Sequence, residues 1–260
     1  MNLDFKEVAL AAAKQAGEIH KKYFEGDTQT KEKSSSFDLI TIADTEAEKK
    51  VVELIKKNFP NHNILAEEGQ YQKTDSNYCW IIDPLDGTNN FSFGIPFFCV
   101  SIALVKNNQF ILGVIYDAMR DELFLAEHGK GAYLNDKKIK VSDVGSFDKS
   151  LLITGFYYDR GQAMVDNLEA IKLFFQKRVV GIRRLGAAAL DLSYIASGRA
   201  TGFWEFKLSP WDFAAGKLLI EEAGGKVTGK NGQEVKLESS YIVASNGKIH
   251  EKIIEVVNNQ

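Results

Sequence analysis

Trp80-Ile81-Ile82-Asp83-Pro84-Leu85-Asp86-Gly87-Thr88-Asn89-Asn90-Phe91 is the stretch on which the reading of this chain turns. Tyr78 to Ile82 is short, aromatic and β-branched, the composition of a buried strand. At its exit stand two carboxylates, Asp83 and Asp86, with Pro84 between them to fix φ and stiffen the turn. Gly87 allows close backbone approach, and Thr88-Asn89-Asn90 can open a helical turn whose free N–H groups face an anion. Asp-Gly alone is ordinary turn chemistry. A second acid three residues earlier, at the end of a water-poor strand, is costly unless something binds it. Metal plus phosphate, and so a phosphate-ester enzyme, is the reading these residues favour.

Composition sets the outer bounds. The 260 residues suffice for one large domain or two closely joined halves, and 45% of them are hydrophobic. A net charge of -3 argues against a partner held by overall electrostatics, so neither a nucleic acid nor an anionic membrane is expected. Acids at Asp4, Glu7 and Glu18 interrupt the apolar N-terminus, and no uninterrupted 18-residue apolar stretch follows, which gives a cytoplasmic expectation. Cys79 and Cys99 sit in apolar segments and read as buried free thiols.

Outward from the central stretch, helices are expected over Leu3 to Phe24 and Asp44 to Phe59, joined by a polar Gly26 to Ser36 loop with the composition of a lid or surface linker. Strands follow at Ile64 to Glu67, Tyr78 to Ile82, Cys99 to Lys106, Phe110 to Asp117, Glu122 to Glu127 and Gly131 to Leu134. Asn107-Asn108 and Met119-Arg120-Asp121 serve as hairpin turns, so this sheet should be largely antiparallel. After Val144, strands at Leu151 to Gly155, Arg178 to Ile182, Thr201 to Phe206 and Tyr241 to Ser245 alternate with helices. Those helices are Gln162 to Gln176, Ala187 to Ser197, Pro210 to Ala223 and Lys248 to Val257. The fold class is α/β, a layered α+β sandwich of two halves, 1–147 with most candidate metal ligands and 148–260 with Asp212 and substrate contacts.

Further acids could converge on the first two. Glu67 ends one strand as Asp83 ends the next, so Glu67 is a third metal ligand if the strands are neighbours and a solvated loop acid otherwise; Glu68 faces away. Ser209-Pro210-Trp211-Asp212 reads as N-cap, N1, N2 and N3 of a helix. Asp212 is then explained equally by capping and by service as a rigidly placed ligand. Asp44 reads foremost as a helix cap. All-oxygen donors suit a hard cation, so Mg2+ is preferred over zinc, and so many acids suggest more than one ion.

Together, Glu67-Glu68, Asp83-Pro84-Leu85-Asp86-Gly87-Thr88 and Trp211-Asp212 resemble the signature of the inositol monophosphatase family. The likeness runs nearly end to end and takes in Asp38 to Asp44, Gly186-Ala187-Ala188-Ala189 and Glu222 to Gly225. It implies an αβαβα fold with a mixed, largely antiparallel sheet and a second smaller one, a homodimer, and a lithium-sensitive site for two or three Mg2+ ions. By the same likeness Glu67, Asp83 and the Leu85 carbonyl hold one ion, Asp83, Asp86 and Asp212 a second, and Glu67 touches a third. Thr88, supported by Asp44, would orient the attacking water, with Glu67 in the catalytic set, and Asp86, Gly87 and Thr88 would meet the phosphate. Glu205 and Ala188 match inositol contacts, which favours myo-inositol monophosphate as substrate. Arg183 and Lys207 match a basic pair of members that also hydrolyse fructose 1,6-bisphosphate. Ala187 stands where animal members have Thr, so one hydroxyl contact is missing.

Two rival classes remain. A haloacid-dehalogenase-type phosphatase spaces its acids by one residue, whereas Pro84 and Leu85 both intervene here. A non-enzymatic regulator that binds RNA polymerase or RNA would have little reason to keep the full set of acids.

Overall fold

The computed structural model describes residues 4–24, 26, 31–35, 38–156 and 161–259. Helix α1 (Phe5–Phe24) buries a stripe of small residues, Val8, Ala9, Ala12, Ala13 and Ala16. Side chains this short let it lie close to α2 (Ile42–Asn58), which offers Ala47, Val51 and Ile55 in return. Between them Lys31–Ser35 (β1) and Asp38–Ile40 (β2) pair as a two-stranded ribbon, a strand where the sequence suggested a loop. The other residues of that segment, apart from Gly26, lie outside the described residues.

The larger sheet has seven strands in sequential order: β3 (Asn63–Ala66), β4 (Tyr78–Asp86), β5 (Cys99–Lys106), β6 (Gln109–Asp117), β7 (Glu122–Glu127), β8 (Gly131–Leu134) and β9 (Lys137–Lys138). Only β3 and β4 run parallel; the remaining pairs are antiparallel. Asn107 and Asn108 both adopt positive φ, 49° and 64°, which matches the twist of the tight β5–β6 hairpin. A five-residue helix, α3 (Thr88–Ser92), follows β4 directly.

The second sheet has five strands in the order β11 (Gly181–Arg183), β10 (Leu151–Thr154), β12 (Gly202–Glu205), β14 (Ile242–Ser245), β13 (Lys226–Thr228). Its helices are α4 (Gln162–Gln176), α5 (Ala188–Ala196), α6 (Pro210–Glu222) and α7 (His250–Asn258). The short strands β9 and β13 escaped the sequence reading because each is an edge strand carrying lysine rather than an alternating apolar pattern.

Alternation along the strands sorts the chain into layers. Trp80, Ile82, Val100, Ile102 and Leu104 face α1 and α2. Their neighbours Ile81, Cys99, Ala103 and Val105 face the opposite way onto α5 and α6, which are covered from beyond by Ile153, Phe203 and Ala244 of the smaller sheet. Leu152, Trp204 and Val243 on its outer face pack against Phe174 of α4 and Ile253 of α7. The order is helix, sheet, helix, sheet, helix, the αβαβα sandwich of mixed sheets expected above. Among the described residues no helix is long and apolar enough to cross a membrane.

Candidate active site

The two acids of the central stretch do not lie in a turn beyond a strand; β4 runs on through them with an irregularity. Asp83 pairs with Ser101 and Asp86 with Cys99, so three steps along β4 match two along β5. That one-residue bulge settles where the carboxylates point. On a regular strand residues three apart face opposite sides of the sheet, and the inserted residue restores the parity, putting Asp83 and Asp86 on one side. Pro84 fits there because a bulge leaves its missing N–H without consequence. His20 of α1, fully buried, lies with Nε2 2.8 Å from the Pro84 carbonyl oxygen and supports the bulge from below. Buried imidazole is held neutral, pushed down to about 4 by loss of hydration, so Nε2–H is the donor.

Other elements bring further groups to this corner. Residue Ala66 of β3 lies opposite Ile82, and the Glu67 N–H donates to the Ile82 carbonyl at 3.2 Å, so the acids ending these parallel strands share a sheet edge. The Glu68 N–H turns instead to Glu48 Oε2, 2.9 Å away. Asp212 is N3 of α6, its Oδ2 accepting from the N-cap Ser209 N–H at 2.7 Å. Asp44 is not an N-cap: Thr41 caps α2, and Asp44 at N3 completes a capping box through Oδ2, which accepts from the Thr41 N–H and hydroxyl. Its other oxygen, Oδ1, lies 3.0 Å from Thr88 Oγ1. Thr88 Oγ1 is also 3.0 Å from the Leu85 carbonyl.

Asp86 spans two elements. Its carboxylate accepts from the N–H groups of Ala188 (3.2 Å) and Ala189 (2.7 Å) and so caps α5, whose own N-cap, Ala187, has no side-chain acceptor. Asp83 Oδ1 accepts from the Leu85 N–H at 3.1 Å. Gly87, at φ 97°, has no room for a side chain: a Cβ would lie 2.9 Å from the Phe97 carbonyl and 3.1 Å from Ala187 Cβ.

These acids shape a strong local field. Burial, then Glu67, Asp86 and Asp212 together, raise Asp83 well above the carboxylate range. Burial likewise lifts Asp86 to about 7 and Asp212 well above its ordinary value. Carboxylates crowded in this way are stable as anions only beside a cation. The donors are all oxygen, and each carboxylate that is tied to N–H groups keeps further lone pairs, so the set fits a hard divalent ion. Among the described residues no three acidic, histidine or cysteine side chains are drawn into a finished coordination shell. The fit rests on donor chemistry and mutual charge.

A cavity of about 300 Å³ opens onto the acids. Glu67, Asp86, Gly87, Thr88 and Asp212 line it, and so do Gly155, Arg184, Ala188, Asp191, Glu205 and Lys207. Asp83 is buried behind it, at 2% exposure, with the Leu85 side chain packed beneath among Ala43, Phe91 and Phe98. Thus Glu67, Asp83, Asp86, Asp212, Thr88, Asp44 and the Leu85 carbonyl come together, while Glu205, Ala188 and Lys207 sit in the cavity wall. Arg183 does not: it ends β11 exposed, its guanidinium on the Ile182 carbonyl, and the next residue, Arg184, takes the place in the wall. The strand runs Gly181–Arg183, after a turn at Arg178 with φ 62°, so Arg184 is the first residue beyond its end.

Sequence reasoning missed three residues here: His20, Arg184 and Asp191. Asp191 had a signal, an acid in the otherwise apolar run Ala188–Ala196, which buries nearly every position.

Known proteins share the sequence and the fold. The sequence profile of the inositol monophosphatase family matches residues 1–260. An inositol-1-monophosphatase of Synechocystis sp. is 44% identical over 230 residues, 88% of this chain and 80% of its own length. A Nus factor SuhB of Pseudomonas aeruginosa is 41% identical over 96% of this chain and 94% of its own. A fructose-1,6-bisphosphatase/inositol-1-monophosphatase of Thermotoga maritima is 40% identical over 90% and 88%. Among solved structures, an extragenic suppressor protein suhB from Bartonella henselae superposes with TM-score 0.92 at 39% identity, covering 97% of each chain. An IMPase/NADP phosphatase complexed with Mg2+ and phosphate gives 0.84 at 26% identity, covering 95% of this chain and 92% of its own. With the fold and the whole length of the sequence in agreement, the chain belongs to the inositol monophosphatase family.

Proposed function

We propose that this protein is an Mg2+-dependent phosphomonoesterase that hydrolyses a small phosphorylated polyol, with myo-inositol monophosphate as its representative substrate. The observation that carries the reading is the bulge, which turns Asp83 and Asp86 to one side of the sheet, beside Thr88 with its link to Asp44. Glu67, Asp83, the Leu85 carbonyl, Asp86 and Asp212 would hold two or three ions. Bound there, Mg2+ would lower the pKa of a coordinated water and offset charge on the phosphoryl oxygens.

The chain's own residues supply orientation. The Thr88 hydroxyl, donating to Asp44, keeps its oxygen lone pairs for a hydrogen of the attacking water and so turns that water's remaining lone pair toward phosphorus. The N–H groups of Gly87 and Thr88 form the phosphate seat, and glycine at position 87 permits the φ of 97° that this turn requires. Glu205 and the wall around Ala188 receive the leaving group. Arg184 and Lys207 in the same wall support a second reading, a sugar bisphosphate such as fructose 1,6-bisphosphate. The likeness to the family also supports a homodimer, which sedimentation velocity reads directly, and inhibition by Li+.

The deciding experiment measures phosphate release from both esters, with Mg2+ and with EDTA, in wild type and Asp83→Asn. Mg2+-dependent release that the substitution abolishes supports the proposal. A wild type that releases no phosphate from either ester while binding RNA polymerase or RNA would replace it with the regulator reading.

A further inference from the structure

One carboxyl oxygen in the cavity wall has no hydrogen-bond partner among the described residues. Asp191 lies in the first turn of α5, is 1% exposed and lines the cavity, yet its Oδ1 is buried with no hydrogen-bond partner. The main-chain donors at the start of that helix are already engaged, since Ala188 and Ala189 both donate to Asp86. An unmet buried acceptor is destabilising, and native proteins keep few of them. A leucine in this apolar helix would avoid that cost. The acid makes physical sense if its donor arrives from the cavity.

The surroundings restrict what that donor is. Glu205, 8% exposed, stands in the same wall and rests against Gly155 so closely that a Cβ there would have no room. Burial, and then Glu205, hold the Asp191 carboxyl well above its ordinary value, burial lifts Glu205 to about 8, and Arg184 opposes both shifts. A phosphate group entering beside Arg184 and Lys207 would bring only acceptors and leave Asp191 Oδ1 unmet; a hydroxyl would bring the donor that it lacks. Asp191 and Glu205 line the same cavity as Gly87 and Thr88, so a substrate with its phosphate seated there leaves its remaining groups to meet this wall.

We propose that Asp191 is a specificity residue, which accepts a hydrogen bond from a hydroxyl of the leaving group and thereby selects monophosphorylated polyols over bisphosphates. The inference rests on the phosphomonoesterase reading above and narrows its substrate class. A site built to bind a hydroxyl rejects ligands that lack it, because its own polar group is then left unpaired.

The test compares wild type with Asp191→Asn and Asp191→Ala in three measurements. Steady-state kinetics use myo-inositol 1-phosphate, fructose 1,6-bisphosphate and p-nitrophenyl phosphate. We expect kcat/KM for the inositol ester to fall at least tenfold more than for p-nitrophenyl phosphate, mainly through KM, and the preference for inositol ester over bisphosphate to shrink by about tenfold. Thermal unfolding of the metal-free protein should show a midpoint unchanged or a few degrees higher, since no hydrogen bond is lost; a structural acid would lower it. Calorimetry should show myo-inositol 1-phosphate binding to Asp191→Ala at least tenfold more weakly than to wild type.

Equal losses on all three esters, or a preference that does not change, would overturn the proposal. Should wild type hydrolyse none of the esters, the phosphomonoesterase reading fails, and calorimetry alone decides the role of Asp191. Weaker binding to the variant then supports hydroxyl recognition, and equal affinity, or no binding to wild type, refutes it.

Discussion

Thr88 Oγ1 lies 3.0 Å from Asp44 Oδ1, a buried contact between residues 44 positions apart that joins the helix after β4 to the first turn of α2. Asp44 divides its two oxygens, one for the cap of α2 and one for Thr88. Thr88→Val keeps the shape and removes the hydroxyl. It should lower kcat by about 100-fold with KM changed little, and Thr88→Ser should restore most of the rate. Steady-state kinetics at saturating Mg2+ measure both, and near-wild-type turnover in Thr88→Val would remove Thr88 from the water-orienting role.

Asp86→Asn and Asp212→Asn should each reduce kcat well over tenfold with the fold intact by circular dichroism. Asp83→Asn carries a second signature. The charges that act most on Asp83 are the carboxylates of Glu67, Asp86 and Asp212, so neutralising it relieves repulsion in the metal-free protein. In EDTA its thermal midpoint should equal or exceed that of wild type, while added Mg2+ should raise it less.

Acid should destabilise the protein through His20. Its imidazole is pushed down to about 4 in the fold by burial, against about 6.5 in an unfolded chain. Above pH 6.5 neither state takes a proton there, and stability is at its full value. As pH falls from 6.5 to about 4 the unfolded state binds a proton that the fold refuses, and roughly 3 kcal/mol is lost; below about 4 the loss stops growing. His250, also pushed down to about 4 by burial and then by Lys226, adds to the slope over the same window. Urea midpoints at pH 7 and pH 4.5 should converge partially in His20→Gln and more so when His250 is also replaced.

Gly87→Ala should cost about 1–3 kcal/mol, because φ of 97° is strained for an L side chain and the new methyl meets the Phe97 carbonyl. Its activity should fall as well, since Asp86 and Thr88 flank the distorted residue. A chemical-denaturation midpoint equal to that of wild type would show that the backbone adjusts without strain.

Periodicity and punctuation made the long elements legible. The stripe of α1, the Asn107-Asn108 hairpin and the Ser209-Pro210 helix start each follow from local chemistry, and the structure has them where the sequence put them. The residue types of the site were legible for the same reason: acids beside apolar strand ends are costly and therefore conspicuous. What the sequence hid is long-range. The choice between Arg183 and Arg184 depends on where β11 ends, and His20 matters only because α1 crosses beneath Pro84. The parity of Asp83 and Asp86 depends on pairing with β5, which no local rule reveals.

The extra residue in β4 makes length, more than identity, the quantity that must be preserved at this corner. Exchange Leu85 for another apolar residue and the ladder still counts three against two. Delete one residue between the acids and the ladder evens out at two against two. The acids would still share a side, but the irregular backbone that brings the Leu85 carbonyl to Thr88 Oγ1 would be gone. The corner can therefore exchange an apolar letter more readily than it can change its spacing.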